Sequence, residues 1–203
     1  MNLARVVFAT RATVRPGGGR VLARLRPTAP LGGAPTQLRI VAQKVARGRL
    51  YVRVLLPQRP NGAAGWVSDD DLALRRSRWR VRIDRRGRSL TVFRDGRAVK
   101  RHRVVVGKPS SPTPGGELAI SELLPQRPMD DFLGTWVLPL TAYSGTYRQF
   151  QGGPGRVALH GRSGAGLRDP LGSAASHGCI RVANRAIGWI ARRVPAGTAV
   201  SIR

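Results

Sequence analysis

Apolar residues recur at every second position through much of this chain, the period of strands with one buried face. In RLYVRVLLP, Leu50, Val52 and Val54 alternate with charged or amphipathic residues. Asn61-Gly62 then supplies a turn, and GWV at 65–67 opens another short strand. Residues 16–36, rich in Pro and Gly (RPGGGR, PTAPLGGAPT), read as turns between short strands. Several short strands within about 70 residues predict a small N-terminal β-barrel.

The charged stretch DDDLALRRSR, residues 69–78, marks a boundary, and a second β-rich segment follows it. WRVRID places Trp79, Val81 and Ile83 on one face, and SLTVFR and AVKRHRVVV follow. Asp95-Gly96 between the last two is a hairpin signal, because both residues tolerate the positive φ of a tight turn. GKPSSPTPGGE reads as a loop, since Pro109, Pro112 and Pro114 cannot donate to a ladder. The section from Leu123 to Gly155 reads as long loops and short strands over a cleft. ANRAIGWIARRV carries Ile187, Ile190, Ala191 and Val194 at helical spacing, with Asn184 as the expected cap and Pro195 as the stop. TAVSI closes the chain as a strand. The expected architecture is mainly β: a small barrel over residues 1–76, then a β-sandwich or barrel with one C-terminal helix over residues 77–203.

Charge changes the range of partners. Thirty-six basic side chains against ten acidic ones give a net charge of +26, and only Lys44, Lys100 and Lys108 are lysines. Such a surface attracts polyanions: nucleic acid, anionic headgroups or acidic wall polymers. The arginines run along the whole chain, often at alternate strand positions (Arg80 and Arg82, Arg101 and Arg103), and no aromatic RNA-binding strand signature accompanies them. They read as solvated faces, not as a specific nucleic-acid site. No apolar run approaches the roughly 20 residues that span a bilayer. MNLARVVFAT is too short and too weakly apolar for a secretory signal, so the expectation is either a cytosolic protein or a sequence that starts after a removed export segment.

Cys179 is the only cysteine, which excludes an internal disulfide and a multi-cysteine zinc site. A thiolate is a nucleophile, and an imidazole partner lowers the thiol pKa from about 8.5. Of the three histidines, His177 stands two positions before Cys179 in a Ser-His-Gly-Cys turn. His160 lies nineteen residues upstream in VALHGRSG, at the end of an apolar run and before a glycine loop, a place from which a base can be presented. Gly178 lets the backbone approach a substrate, and the amides of His177, Gly178 and Cys179 are candidates for an oxyanion hole. Two competing readings are an inert buried thiol and a zinc site from His160, His177 and Cys179. The latter lacks the usual ligand spacing and has no acidic residue close by in sequence to act as base.

ALHG at 158–161, Leu171-Gly172, and SHGCIRV at 176–182 together resemble the signature of bacterial L,D-transpeptidases of the YkuD type. VVVGKPSSPTPGGE resembles that family's strand and loop ahead of the cleft, and the resemblance covers roughly residues 79–202. LYVRVLLPQRPNGAAGWV resembles the bacterial Src-homology-3-like wall-associated barrels. The first resemblance implies an acyltransferase that attacks a peptidoglycan stem tetrapeptide, releases D-Ala and passes the acyl group to a side-chain amine, forming a 3→3 cross-link. It implies Cys179 as nucleophile, His160 as base, the Gly161 carbonyl as orienter of the imidazole, and oxyanion amides at His177, Gly178 and Cys179. Ser176 and Arg181 occupy the flanking motif positions. Arg162, where many relatives carry a small hydroxylated residue, joins Arg181, Tyr143 and Trp136 as candidate substrate contacts. The implied partners are stem peptides, anionic wall polymers and carbapenem inhibitors, with neither cofactor nor metal, in an extracytoplasmic space. An L,D-carboxypeptidase using water, or a non-catalytic basic protein binding wall or nucleic acid, are the alternatives.

Overall fold

Two separate sets of alternating apolar residues build two cores in the computed structural model, which describes residues 2–150 and 152–203. The first is enclosed by seven strands: β1 (Leu3–Val6), β2 (Thr10–Arg15), β3 (Gly18–Leu25), β4 (Gln37–Ala46), β5 (Arg49–Leu55), β6 (Ala64–Ser68) and β7 (Leu72–Arg75). They pair antiparallel in the order β3-β2-β6-β5-β4-β1-β7. Val52 and Val54 of β5 are fully buried while Arg53 between them is exposed, as the two-residue period requires. Leu25 from one edge strand and Leu72 from the other share one core, so the sheet coils around a single apolar interior.

The second core begins at Val81. Its strands are β8 (Trp79–Asp84), β9 (Ser89–Arg94), β10 (Arg97–Arg103), β11 (Val106–Gly107), β12 (Gly116–Ala119), β13 (Leu124–Asp130), β14 (Gly134–Tyr143), β15 (Arg156–His160), β16 (Ala174–Ser176), β17 (Ile180–Arg181) and β18 (Ala199–Ile202). One sheet runs β10-β9-β8-β18-β12, another β13-β14-β15-β17, and β11 pairs β16. Helix α1 (Asn184–Ala191) packs on β14 and β15. Val81, Ile83, Leu90, Leu138, Leu140, Ile187 and Ile190 are all fully buried, each contributing about 1.5–3 kcal/mol of transfer free energy. The β9–β10 hairpin turns on Asp95 (φ 51°) and Gly96 (φ 80°), the left-handed pair that its sequence predicts. β10 is exposed along most of its length and carries four basic residues, which guard this sheet edge against pairing with another chain.

Two expectations change. Within Leu123–Gly155, β14 is a ten-residue strand, not a set of short pieces. It is buried on both faces from Leu138 onward, so its sequence lacks the alternation that marks a half-buried strand. Asn184 does not cap α1 either. The cap position is Ala183, and the Asn184 side chain is drawn away by backbone groups of the loop after β15.

The two cores meet through specific polar contacts. Glu122, buried, accepts from the amides of Leu31 (3.1 Å) and Gly32 (2.8 Å). Asn2 exchanges two bonds with the backbone of Ser77.

Candidate active site

Parallel pairing of β15 with β17 brings the cysteine turn to the histidine strand, in the register Leu159 opposite Ile180 and His160 opposite Arg181. Leu159 and Ile180 point into the core. Side chains alternate across a strand, so Ala158 and His160 face the opposite side with Cys179 and Arg181. Cys179 thus lies diagonally from His160. Strands about 4.8 Å apart with a rise of about 3.3 Å per residue set their Cα atoms on the order of 8 Å apart, within reach of an imidazole and a thiol. Both line a cavity of about 210 Å³, together with Arg181, His177, Phe132 and Tyr147.

His160 is 1% exposed, and its Nδ1 lies 2.8 Å from the Gly161 carbonyl. A carbonyl only accepts, so Nδ1 carries the proton and Nε2 keeps its lone pair. Burial pushes the His160 pKa down from 6.5 to about 4; the bonds to the Gly161 and Leu133 carbonyls and the charge of Asp130 pull it up, and Arg181 pushes it further down. Burial also pushes the Cys179 thiol up, against the Ala158 backbone and Arg181. Both shifts favour the uncharged forms. Each shift opposes the ion pair that a neighbouring imidazole would suggest.

The cysteine turn is held from behind. Ser176 Oγ donates to the Cys179 carbonyl (2.6 Å) and accepts from the Gly178 amide (3.1 Å). That occupies the Gly178 amide, one of the three candidate oxyanion donors. Thr113 Oγ1 donates to the Gly178 carbonyl (2.9 Å) and accepts from the Gly107 amide (2.8 Å). The Lys108 amide donates to the Ser176 carbonyl (2.9 Å). The proline-rich loop therefore buttresses the turn. Thr113→Val keeps shape but leaves the part-buried Gly107 amide and the buried Gly178 carbonyl without their hydroxyl partner. Chemical denaturation should read a loss of about 2 kcal/mol, with Thr113→Ser restoring most of it. A stability unchanged in Thr113→Val would remove this buttress from the account.

Gly161 is required by close approach: a Cβ there would stand 2.1 Å from Asn184 Oδ1. Asn184 accepts from the Arg162 amide (3.0 Å) and donates to the Arg162 carbonyl (2.8 Å), fastening the chain directly after His160. Arg181 is 4% exposed, ion-paired with Asp169, and 4.7 Å from the Phe132 ring centre. Its Nε has no hydrogen-bond partner among the described residues.

Three sequence candidates for substrate contact stand elsewhere. The Arg162 guanidinium is spent on the carbonyls of Gly166 (3.2 Å), Leu167 (2.9 Å) and Asp169, so it pins the loop that presents Asp169 to Arg181. Trp136 lies on the face of β14 opposite Val137, which lines the cavity, and borders a separate depression beside α1. Tyr143 is buried, and its hydroxyl donates to the Pro57 carbonyl (2.6 Å). His177 is exposed at the rim, its ring 5.8 Å from Tyr147 and 5.5 Å from Phe150. Phe132, Asp169, Thr113 and Asn184 escaped the sequence reading. Thr113 and Asp169 sit in loops without periodicity, and Asn184 has the residue type of a cap.

Among the described residues, no group of three His, Cys, Asp or Glu side chains could hold a metal ion. No helix among them is long and apolar enough to cross a membrane.

Residues 78–202 match the L,D-transpeptidase catalytic domain family, YkuD. Over 124 residues the chain is 32% identical to the YkuD protein of Bacillus licheniformis, covering 61% of this chain and 65% of that one. A solved structure from Bdellovibrio bacteriovorus is 25% identical, with a TM-score of 0.48, over 63% of this chain and 48% of that one. An L,D-transpeptidase from Mycobacterium smegmatis is 16% identical, with a TM-score of 0.48, over 82% of this chain and 99% of that one. The chain thus spans a little under two thirds of its curated relative's length, 65%.

Proposed function

The chain belongs to the L,D-transpeptidase catalytic-domain family, and from that membership we propose that it cross-links peptidoglycan stem peptides by acyl transfer through Cys179. The observation that carries this reading is the β15–β17 register, which sets His160 and Cys179 in one cavity with the imidazole tautomer fixed by Gly161. His160 Nε2 takes the thiol proton as sulfur attacks the carbonyl between the third stem residue and D-Ala. The oxyanion is met by the Cys179 and His177 amides, because Gly178 already donates to Ser176. The C–N bond then breaks, His160 returns the proton to the leaving amine, and D-Ala departs. A thioester remains. An acceptor amine, in this family usually that of diaminopimelate, attacks the thioester, gives its proton to Nε2 and regenerates the thiol.

The coiled N-terminal sheet, read from its sequence as a Src-homology-3-like barrel, fits a wall-positioning role. A groove on it combines Trp66 and Tyr51 with Arg11, Arg24 and Arg26, aromatic faces and cations that suit an anionic wall polymer in an extracytoplasmic space. Mass spectrometry of products from a purified disaccharide-tetrapeptide tests the reaction. Cross-linked dimer is expected; tripeptide alone would make the protein a carboxypeptidase, and unchanged substrate would refute both. In the same assay, added salt should slow turnover on intact sacculi but not on the soluble fragment.

A further inference from the structure

Residues 56–63 form the closed loop between β5 and β6, held by the Leu56 amide to the Ala63 carbonyl (2.8 Å) and the Ala63 amide to the Pro60 carbonyl (3.0 Å). The loop reaches across to the other core. Asn61 exchanges two bonds with the backbone of Tyr143, donating from Nδ2 to its carbonyl (2.9 Å) and accepting its amide at Oδ1 (2.8 Å). Arg59 extends further. Its Nη1 donates to the Ser144 carbonyl (2.9 Å), and its Nη2 donates to the carbonyls of Tyr147 (3.1 Å) and Pro154 (3.3 Å). The guanidinium lies 5.1 Å from the Tyr143 ring centre.

Those carbonyls belong to both arms of the connection from β14 to β15. One arm, residues 144–150, carries Tyr147 and Phe150 onto His177 at the cavity mouth. The other, residues 153–155, returns the chain to β15. Gly155 at φ 68° packs so closely that a Cβ would lie 2.1 Å from the Tyr147 carbonyl, which leaves the arms no slack. One planar fork thus joins the start, middle and end of an aromatic flap. Arg59 itself does not line the cavity.

We propose that Arg59 is a positioning residue which holds this flap over the cleft, so that the N-terminal sheet sets how tightly an acyl donor is bound. The flap supplies the aromatic wall a donor packs against, while the imidazole stands on β15 and the thiol in the turn before β17, neither of which Arg59 hydrogen-bonds. Loss of the fork therefore weakens donor binding and spares the chemical step. The kinetic arm of the test rests on the transpeptidase reading; the exchange arm does not.

Arg59→Gln and Arg59→Lys in the full chain are compared with the wild type in amide hydrogen exchange and in saturation kinetics of Cys179 acylation by meropenem. The Thr146 and Tyr147 amides, both bonded to Ser144 Oγ at 3.2 and 3.0 Å, should exchange about tenfold faster in both variants. The half-saturating meropenem concentration should rise about tenfold, with the limiting rate changed less than about twofold. Lysine cannot rescue, because one ammonium cannot bridge both arms. Unchanged exchange and half-saturation, full rescue by lysine, a fall in the limiting rate alone, or loss of cooperative melting would each overturn the proposal. A wild type that meropenem never acylates would refute the transpeptidase reading, and exchange would still decide the role of Arg59.

Discussion

Replacing Cys179 with alanine should remove covalent capture of a carbapenem, read as the absence of any mass increment on the intact protein, while the wild type should gain one inhibitor mass. The expected loss of acylation rate is at least about 10⁴-fold, because no other group in the cavity is a nucleophile of comparable strength. Thermal stability should move little. The turn is fixed by backbone and hydroxyl bonds of Ser176, Gly178 and Thr113, none of which uses the sulfur. Cys179→Ser should also be severely impaired, since an imidazole whose pKa is depressed to about 4 is a weak base for a hydroxyl far less acidic than a thiol. An adduct on the alanine variant, or a wild-type adduct mapped to another residue, would refute the nucleophile assignment.

His160→Gln should lower the acylation rate by about 10²–10⁴-fold, the usual weight of a positioned general base. His177→Ala should cost far less, because His177 is exposed at the rim and stacks on the flap. The pH profile separates the two histidines. With its pKa depressed to about 4, His160 remains an unprotonated base well below neutrality. Carbapenem acylation should stay nearly level from pH 8 down to about pH 5 and fall only towards pH 4. A base with an ordinary imidazole pKa would lose half its rate near pH 6.5. A midpoint there, or a larger loss in His177→Ala than in His160→Gln, would move the base to His177.

The same shift has a consequence for stability. The unfolded chain protonates His160 near pH 6.5, whereas the folded chain holds out to about pH 4. The favourable contribution is fully present above pH 6.5 and is lost as pH falls towards 4, by up to about 3 kcal/mol. Glutamine at position 160 should remove that part of the acid sensitivity.

Much of this architecture was legible before any fold was known. The alternation at Leu50, Val52 and Val54, the Asp95-Gly96 turn and the periodic apolar face of α1 report local rules, in which backbone conformation follows from neighbours a few residues away. The long strand β14 was hidden because burial on both faces erases the period of two, and Asn184 misled because its residue type suits a cap as well as a loop tether.

The residue sequence alone carried the chemistry: a single thiol, a histidine at a strand end, a glycine-framed turn, and the motifs that tie them to one family. Residue type and motif are read without any fold. Whether a side chain faces the cleft is a different kind of fact, because it depends on register between strands far apart in the chain. The β15–β17 pairing joins His160 to Cys179 across nineteen residues, while the β14–β15 register sets Val137 against His160, turns Trp136 away from the cavity, and leaves Tyr143 to anchor the N-terminal loop. Arg162 was drawn to a loop and Arg59 to a flap by carbonyls that no local pattern announces. Long-range contacts also set the protonation states. Burial, which only the assembled cores produce, pushes the His160 pKa down and the Cys179 pKa up, each against the ion pair that residue type and proximity suggest.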